Sequence, residues 1–465
     1  MTTAGDERRL FGWRFTAPLL LASALNPINS SMLATGLTDI AREFTLAPGA
    51  AVTLVSVLYL CSATAQPAVG KLGTVLGPRR VFLGGLVVVM IGGLVGALAG
   101  SFPWLLASRA LIGIGTSAAF PTSMALVRAR ADRAGLAAPT RVIGLLSIAA
   151  QVALVAGLPL GGLLTSALGW RSLLAMNLPL ALIALVAVAR GVERDPAIGR
   201  HTVREMLTAL DATGVVLFTA ATTGLLVFLG DLTHPRWWLL AVIVAVLTLL
   251  IAWERRAPDP LLDVRLLASE PALARTYLRQ LLVGLAVSTA LYGLSQWRED
   301  AAGLDAAAIG VILLPLSVVS ILLARIVSVR GWVRGSLVGG ALAVIAAGGM
   351  LSLLRSGMPG LVPLLLGVAI VYGAANGLTS VATQTALYLQ APADRIGTAA
   401  GLLRSFGHIG AIFSASVISV TFGAQPSDAG LRLQGWVVAG LGVVLFLLAL
   451  DRGIPRTAPR RQRGD

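Results

Sequence analysis

Fourteen times along this 465-residue chain, an apolar run is long enough to cross a lipid bilayer. A span needs about 20 mostly apolar residues. The first six runs fall near 15–37, 48–70, 81–101, 103–127, 142–167 and 172–189. Two more lie near 212–230 and 236–253, and the last six near 276–297, 304–326, 335–354, 361–389, 397–420 and 433–450. No water reaches such segments, so each must satisfy its own backbone hydrogen bonds and is expected to be a helix. Composition agrees: 56% of the residues are hydrophobic and 12% are charged, against about 25% charged in a soluble domain. The expected fold is an all-α membrane protein of 14 transmembrane helices. Residues 1–190 form one six-helix half, 191–272 a linker with two additional helices, 273–451 a second six-helix half, and 452–465 a basic tail.

Charge orients these spans. The net charge is +15 and Lys71 is the only lysine, which reads as codon usage. The basic residues recur between the apolar runs rather than forming one stripe, so no nucleic-acid partner is expected. With both termini in the cytosol, only Arg42, Arg171, Arg236, Arg298, Arg355 and Arg432 fall in outer loops, and Arg109 and Arg404 fall inside spans. That asymmetry satisfies the positive-inside rule. Arg8, Arg9 and Arg14 precede a first run too long for a signal peptide, so it is read as an uncleaved span. Cys61 stands alone and excludes a disulfide framework; it is expected to be a small buried residue. The three histidines, His201, His234 and His408, are scattered, and no nucleophile–base spacing is visible. The chain is therefore not read as an enzyme, and no cofactor or metal is expected.

Several short motifs occur in a fixed order. After the second run come Gly70-Lys71-Leu72-Gly73-Thr74 and Gly77-Pro78-Arg79-Arg80, a tight basic turn. The fourth run holds Arg109, Gly113 and Gly115, and the fifth holds Gly157-Leu158-Pro159-Leu160-Gly161-Gly162. Leu313-Leu314-Pro315 and a Gly397 to Arg404 segment follow in the second half. In order and spacing these resemble the major facilitator superfamily, and most of all its fourteen-span drug:proton antiporter branch. The turn resembles motif A of that family, the fourth run motif B, and the fifth the antiporter motif C. The resemblance implies two pseudo-symmetric halves that rock about a central site. It departs at four places. Thr74 stands where motif A usually has an Asp that closes the inner gate. Ile112 replaces a Gln, and Pro159 is displaced by one residue. Asn29 replaces an Asp, which removes a candidate proton site.

Candidate site residues follow from helical spacing. Arg109, Gly113, Thr116, Phe120 and Ser123 share one face. A charge inside a span is costly and usually turns to a cavity or partner; the alternative is an Arg snorkelling to the outer interface. In the resembled family this Arg is implicated in proton coupling. Asn26, Asn29, Ser30 and Leu33 share a second face. Gln280, Ser288, Tyr292, Ser295 and Gln296 share a third, and Asn376, Ser380, Thr383 and Gln384 a fourth. These polar residues line a substrate path or hydrogen-bond between helices. Arg404 and His408 lie one turn apart; His408 reads as a packing histidine, with a proton carrier as the alternative. Gly157 and Gly161 admit close helix approach, and Pro159 bends its helix.

No span centre carries Asp or Glu, so a bare organic cation would be penalised and neutral, amphipathic or anionic substrates favoured. The expected function is a proton-coupled exporter (an antiporter of the multidrug-resistance type) of small lipophilic or drug-like molecules, working by alternating access in the plasma (inner) membrane. Its expected partners are the small-molecule substrate, protons and the lipid bilayer. An uncoupled facilitator or importer on the same fold, and a receptor or assembly component without transport, are the alternatives. The sequence assigns no job to the inserted pair.

Overall fold

The computed structural model describes residues 10–46, 53–135, 139–196, 208, 210–230, 236–300, 306–423, 426–451 and 454, with the side chains at 34, 38, 155, 158, 226, 229, 230, 291, 295, 296, 298–300, 306–314 and 415 excepted. His201, His234 and the basic tail, save Ile454, lie outside the described residues, as does the side chain of Gln296.

The first half contains α1 (Trp13–Ala34), the short α2 (Leu37–Glu43), α3 (Thr53–Leu76), α4 (Pro78–Ala97), α5 (Phe102–Ser117), α6 (Ala119–Arg133), α7 (Thr140–Leu168), the short α8 (Arg171–Ala175) and α9 (Asn177–Gly191). Next come the inserted pair, α10 (Ala212–Gly230) and α11 (Trp237–Glu254), and the short α12 (Val264–Ser269). The second half contains α13 (Pro271–Asp300), α14 (Ala306–Arg330), α15 (Arg334–Leu353), α16 (Leu361–Gln390), α17 (Ile396–Phe422) and α18 (Asp428–Ala449).

Local chemistry sets several ends. Gly77, at φ +93, reverses the chain between α3 and α4, and Pro78 starts α4 where its missing N–H costs nothing. Asp263 and Ser427 cap α12 and α18 by accepting from the amides of Leu266 and Gly430. In α7, Thr140–Leu154 and Pro159–Leu168 meet at 42°, the bend expected of Pro159.

Among the described residues ten helices are long and apolar enough to cross a membrane, and the bent α7 makes eleven. Three expected spans form helices that do not pass that test. Asn26, Asn29 and several serines dilute α1. The apolar stretch of α10 is short, Ala212–Leu225. The first part of α14 has no described side chains.

One buried cluster gathers Phe15, Leu19, Phe82, Leu86, Met124 and Leu146 of the first half and runs on into Tyr277, Tyr388 and Leu403 of the second; another, with Ala290, Trp297, Val344, Leu365, Tyr372 and Val438, lies within the second half. The halves meet along two seams, α3 and α6 on α17, and α7 on α14 and α16. The inserted pair packs beside the first seam, with α10 on α3 and α17. By contrast α11 is apolar nearly all round and mostly uncovered, with Trp237 67% exposed at its start. That is how a helix facing lipid should look, its aromatics at the interface.

Candidate functional site

The loops define two faces, one rich in arginine (around 77–80, 128–141, 190–196, 254–275, 330–334 and 390–395) and one poor in it. Between them lies a belt of polar side chains. Asn26 of α1 donates to Ser62 of α3 and Thr116 of α5, both at 2.9 Å. Asn29 donates to Asn177 of α9 at 2.6 Å and to the Leu25 carbonyl at 2.8 Å. Across the second seam, Gln151 of α7 accepts from Ser320 of α14 and, at 3.5 Å, from Asn376 of α16, and donates to Ser380 at 3.5 Å. Gln384 is buried with its carbonyl oxygen unpartnered among the described residues.

Arg109 sits one turn nearer the arginine-poor face than Gly113 and is 1% exposed. Snorkelling is therefore not its arrangement. Its guanidinium donates to the backbone carbonyls of Leu54 at 3.3 Å and Asn29 at 3.5 Å, and Nη1 has no partner among the described residues. On the same helical face, Gly113 presses on the Leu58 carbonyl and Cys61. Thr116 returns its hydroxyl to the Ile112 carbonyl at 2.8 Å. Cys61 itself is half-buried rather than buried, because it lies at that rim between α3 and α5.

The second half brings its own groups to α3 and α6. Arg404 of α17 stacks over Phe120 at 4.2 Å. His408, one turn on, pairs with Gln66 at 3.3 Å and lies against the Tyr59 ring at 5.3 Å. Tyr292 of α13 reaches the Tyr59 side chain and remains 44% exposed, so the space beside that contact is open. Neither Arg109 nor Arg404 has a carboxylate partner among the described residues. The centre thus offers two guanidiniums, neutral polar groups and aromatic rings.

Towards the arginine-rich face the first seam closes backbone to backbone. A side chain on Gly70 would collide with the Gly397 carbonyl, and one on Gly401 with the Gln66 carbonyl. Ser405 donates to the Ala63 carbonyl. The second seam closes through Ser328, which donates to the Thr140 carbonyl at 3.0 Å. The motif around Gly77 is held by the start of the linker after α9: the amides of Arg79 and Arg80 donate to Asp195 at 3.2 and 2.8 Å. The Thr74 hydroxyl is spent on the Lys71 carbonyl at 2.7 Å. Gly157 and Gly161 abut Ser31 and Met32 of α1, so they bind helices of one half rather than the two halves. Gly162 faces open space.

On the arginine-poor face the carboxylate of Glu43 takes Arg171 at 2.7 and 3.0 Å and the Trp170 indole at 2.7 Å. Those hydrogen bonds, Arg171 first, hold its pKa below the usual carboxylate range.

Several contributors escaped sequence reasoning. Tyr59, Gln66, Gln151 and Ser320 are isolated polar residues in apolar runs, and nothing at helical spacing marks them. Lys71 is 3% exposed, buried under the 257–263 segment. Glu254 was assigned to a linker because it directly follows an apolar run. In the structure it is the last residue of α11 and has no exposed surface.

Comparison with known proteins adds three findings. A family model described as Major Facilitator Superfamily matches residues 19–415. The uncharacterized MFS-type transporter YwoD of Bacillus subtilis is 28% identical over 94% of this chain and 96% of its own length, and the cephamycin export protein CmcT of Amycolatopsis lactamdurans is 28% identical over 94% and 90%. The human organic anion transporter MFSD10 superposes with a TM-score of 0.66 at 17% identity, covering 96% of this chain and 99% of its own, which shows a shared fold.

Proposed function

The chain belongs to the Major Facilitator Superfamily, and on that premise we propose that it is a proton-coupled exporter of small lipophilic molecules that carry no positive charge. Membership makes it a multi-pass membrane transporter and not an enzyme. The proposal extends to fourteen spans with both termini cytosolic, so that the arginine-rich face is the inner one.

The observation that carries the substrate class is the pair Arg109, inside the first half, and Arg404, at the seam, two guanidiniums without a carboxylate partner among the described residues. A cation entering such a centre meets like charge and no counter-ion. Export is supported by the likeness to a cephamycin export protein. Alternating access is supported by the seams, where small residues and a few hydrogen bonds join the halves. Uncoupled facilitation is the second reading, favoured by Asn29 and Thr74 where the resembled branch carries Asp.

An efflux screen in a strain lacking the gene, with and without an uncoupler, tests the proposal. Neutral or anionic lipophilic compounds should accumulate in that strain, and the uncoupler should abolish its difference from the parent. Preferential export of permanent cations overturns the substrate class. Flux indifferent to a collapsed pH gradient overturns the coupling.

A further inference from the structure

A polar cluster lies where the inserted pair meets the first seam. Asp211, just before α10, is buried at φ +52 and fully engaged. It accepts from the Trp253 indole at 2.7 Å and from the amides of Gly214 and Leu261, each at 3.0 Å. These bonds pin the segment from Ala257 to Asp263 onto the pair like a strap. The strap then crosses the gate. Lys71 of the first half donates to the Asp259 carbonyl and lies 3.6 Å from its carboxylate. Arg395, which leads into α17 of the second half, is 2.7 Å from Asp263 and 4.0 Å from Asp259. Thr74 contributes no charge here, so the carboxylates of this gate come from the strap.

Glu254 lies beneath it. Its side chain is 0% exposed and neither oxygen has a hydrogen-bond partner at normal distance among the described residues. The groups around it are the Asp211 carboxyl, the Leu262 backbone and, further off, Lys71. Arg255 and Arg256 follow on its own helix but are exposed, and α17 turns Ile409 toward the pair. A bare carboxylate is expensive to bury without donors, and binding a proton removes that cost. Two adjacent carboxyls are the usual arrangement for holding one proton between them.

We propose that Glu254, with Asp211 beside it, is a proton-binding site that sets how tightly the Asp259 strap holds the inner gate closed. With the proton bound, Lys71 has Asp259 as its acidic partner and the strap is tight. When the proton leaves, the Glu254 anion competes with Asp259 for Lys71, and the gate loosens. The inserted pair then has a job: it supplies the acidic side of a gate whose motif residue is Thr74. The inference deepens the proton-coupled reading and rests on the arginine-rich face being the inner one.

The test needs no substrate, so it fails or holds apart from the export reading. In the full-length Cys61→Ser chain, a reporter is placed by Thr398→Cys, at the small cavity of about 50 Å³ under the strap. Labelling by a membrane-impermeant maleimide is followed in inside-out vesicles from acid to neutral pH. At each pH the rate is divided by that of the same reporter in Glu254→Gln, which cancels the pH dependence of the thiol. The ratio should rise about tenfold towards neutral pH. Glu254→Asp should keep a rise, and Asp259→Asn should label fast at every pH. A ratio that stays flat overturns the proton site. Asp259→Asn labelling as slowly as the parent overturns the strap. Should Glu254→Gln fail to insert, Glu254→Met serves as the divisor, with the same two outcomes decisive.

Discussion

On the arginine-poor face the described charged contacts stay within one half of the molecule, whereas on the arginine-rich face some of them cross between the halves. Glu43 binds Arg171 and Trp170, all of the first half. Asp428 binds the Trp297 indole at 2.8 Å and Ser356 at 2.9 Å, all of the second. On the other face Lys71 and Arg395 share one strap, and Arg128 of α6 donates at 3.2 Å to the Tyr388 carbonyl of α16. The same side-chain chemistry therefore does two jobs. On the proposed alternating access, contacts inside a half stiffen a body that moves as a unit, and contacts between halves set the barrier to moving it. In this conformation the barrier stands on the arginine-rich side.

The most direct way to break the comparison is at the backbone seal. Gly70→Val forces α3 from α17, where overpacking costs about 1–3 kcal/mol. Efflux of a compound identified by the deletion screen should fall about 10- to 100-fold, with the protein still in the membrane. Full transport would show that the seal is not part of the cycle. Next in size, Arg109→Met should abolish most transport while Tm stays level or rises, since a buried cation without a counter-ion is replaced by an apolar chain. A fall in both would make Arg109 a structural residue.

A smaller effect is expected of Arg128→Gln, which removes one charged hydrogen bond between halves, worth about 1.5–3 kcal/mol at most and less at a half-exposed site. Labelling of a cysteine at Thr398 should quicken a few-fold. The smallest is Glu43→Gln. Its ion pair is largely exposed and is worth about 0.2–1 kcal/mol. Because the folded carboxyl titrates below its unfolded value, this contribution is complete above the ordinary carboxylate range and is lost as pH falls through the lowered value. Thermal unfolding of Glu43→Gln should lack that acid-side loss, and labelling at Thr398 should not change.

Much of this architecture was legible in the chain. The apolar runs marked the helices, and the order of motifs around Gly77, Arg109 and Pro159 marked the family. The site was legible only in part. Asn26, Thr116, Asn376 and Ser380 do meet partners on other helices, because a polar residue in an apolar run has to find one. Their partners Ser62, Gln151 and Ser320 were not legible, since a single Ser or Gln carries no periodic signal. Glu254 was missed because a carboxylate at the edge of an apolar run reads as solvated, and only packing shows otherwise.

The sequence by itself determined a multi-helix membrane protein, because an apolar run has no other way to satisfy its backbone in lipid. It also determined which loops carry the arginines, hence which face is expected inside. Only the tertiary structure decided that a lone Lys71, a strap after the inserted pair and Arg395 of the other half converge on one gate. Those residues are hundreds of positions apart, and electrostatic attraction acts over ångströms in space rather than along the chain.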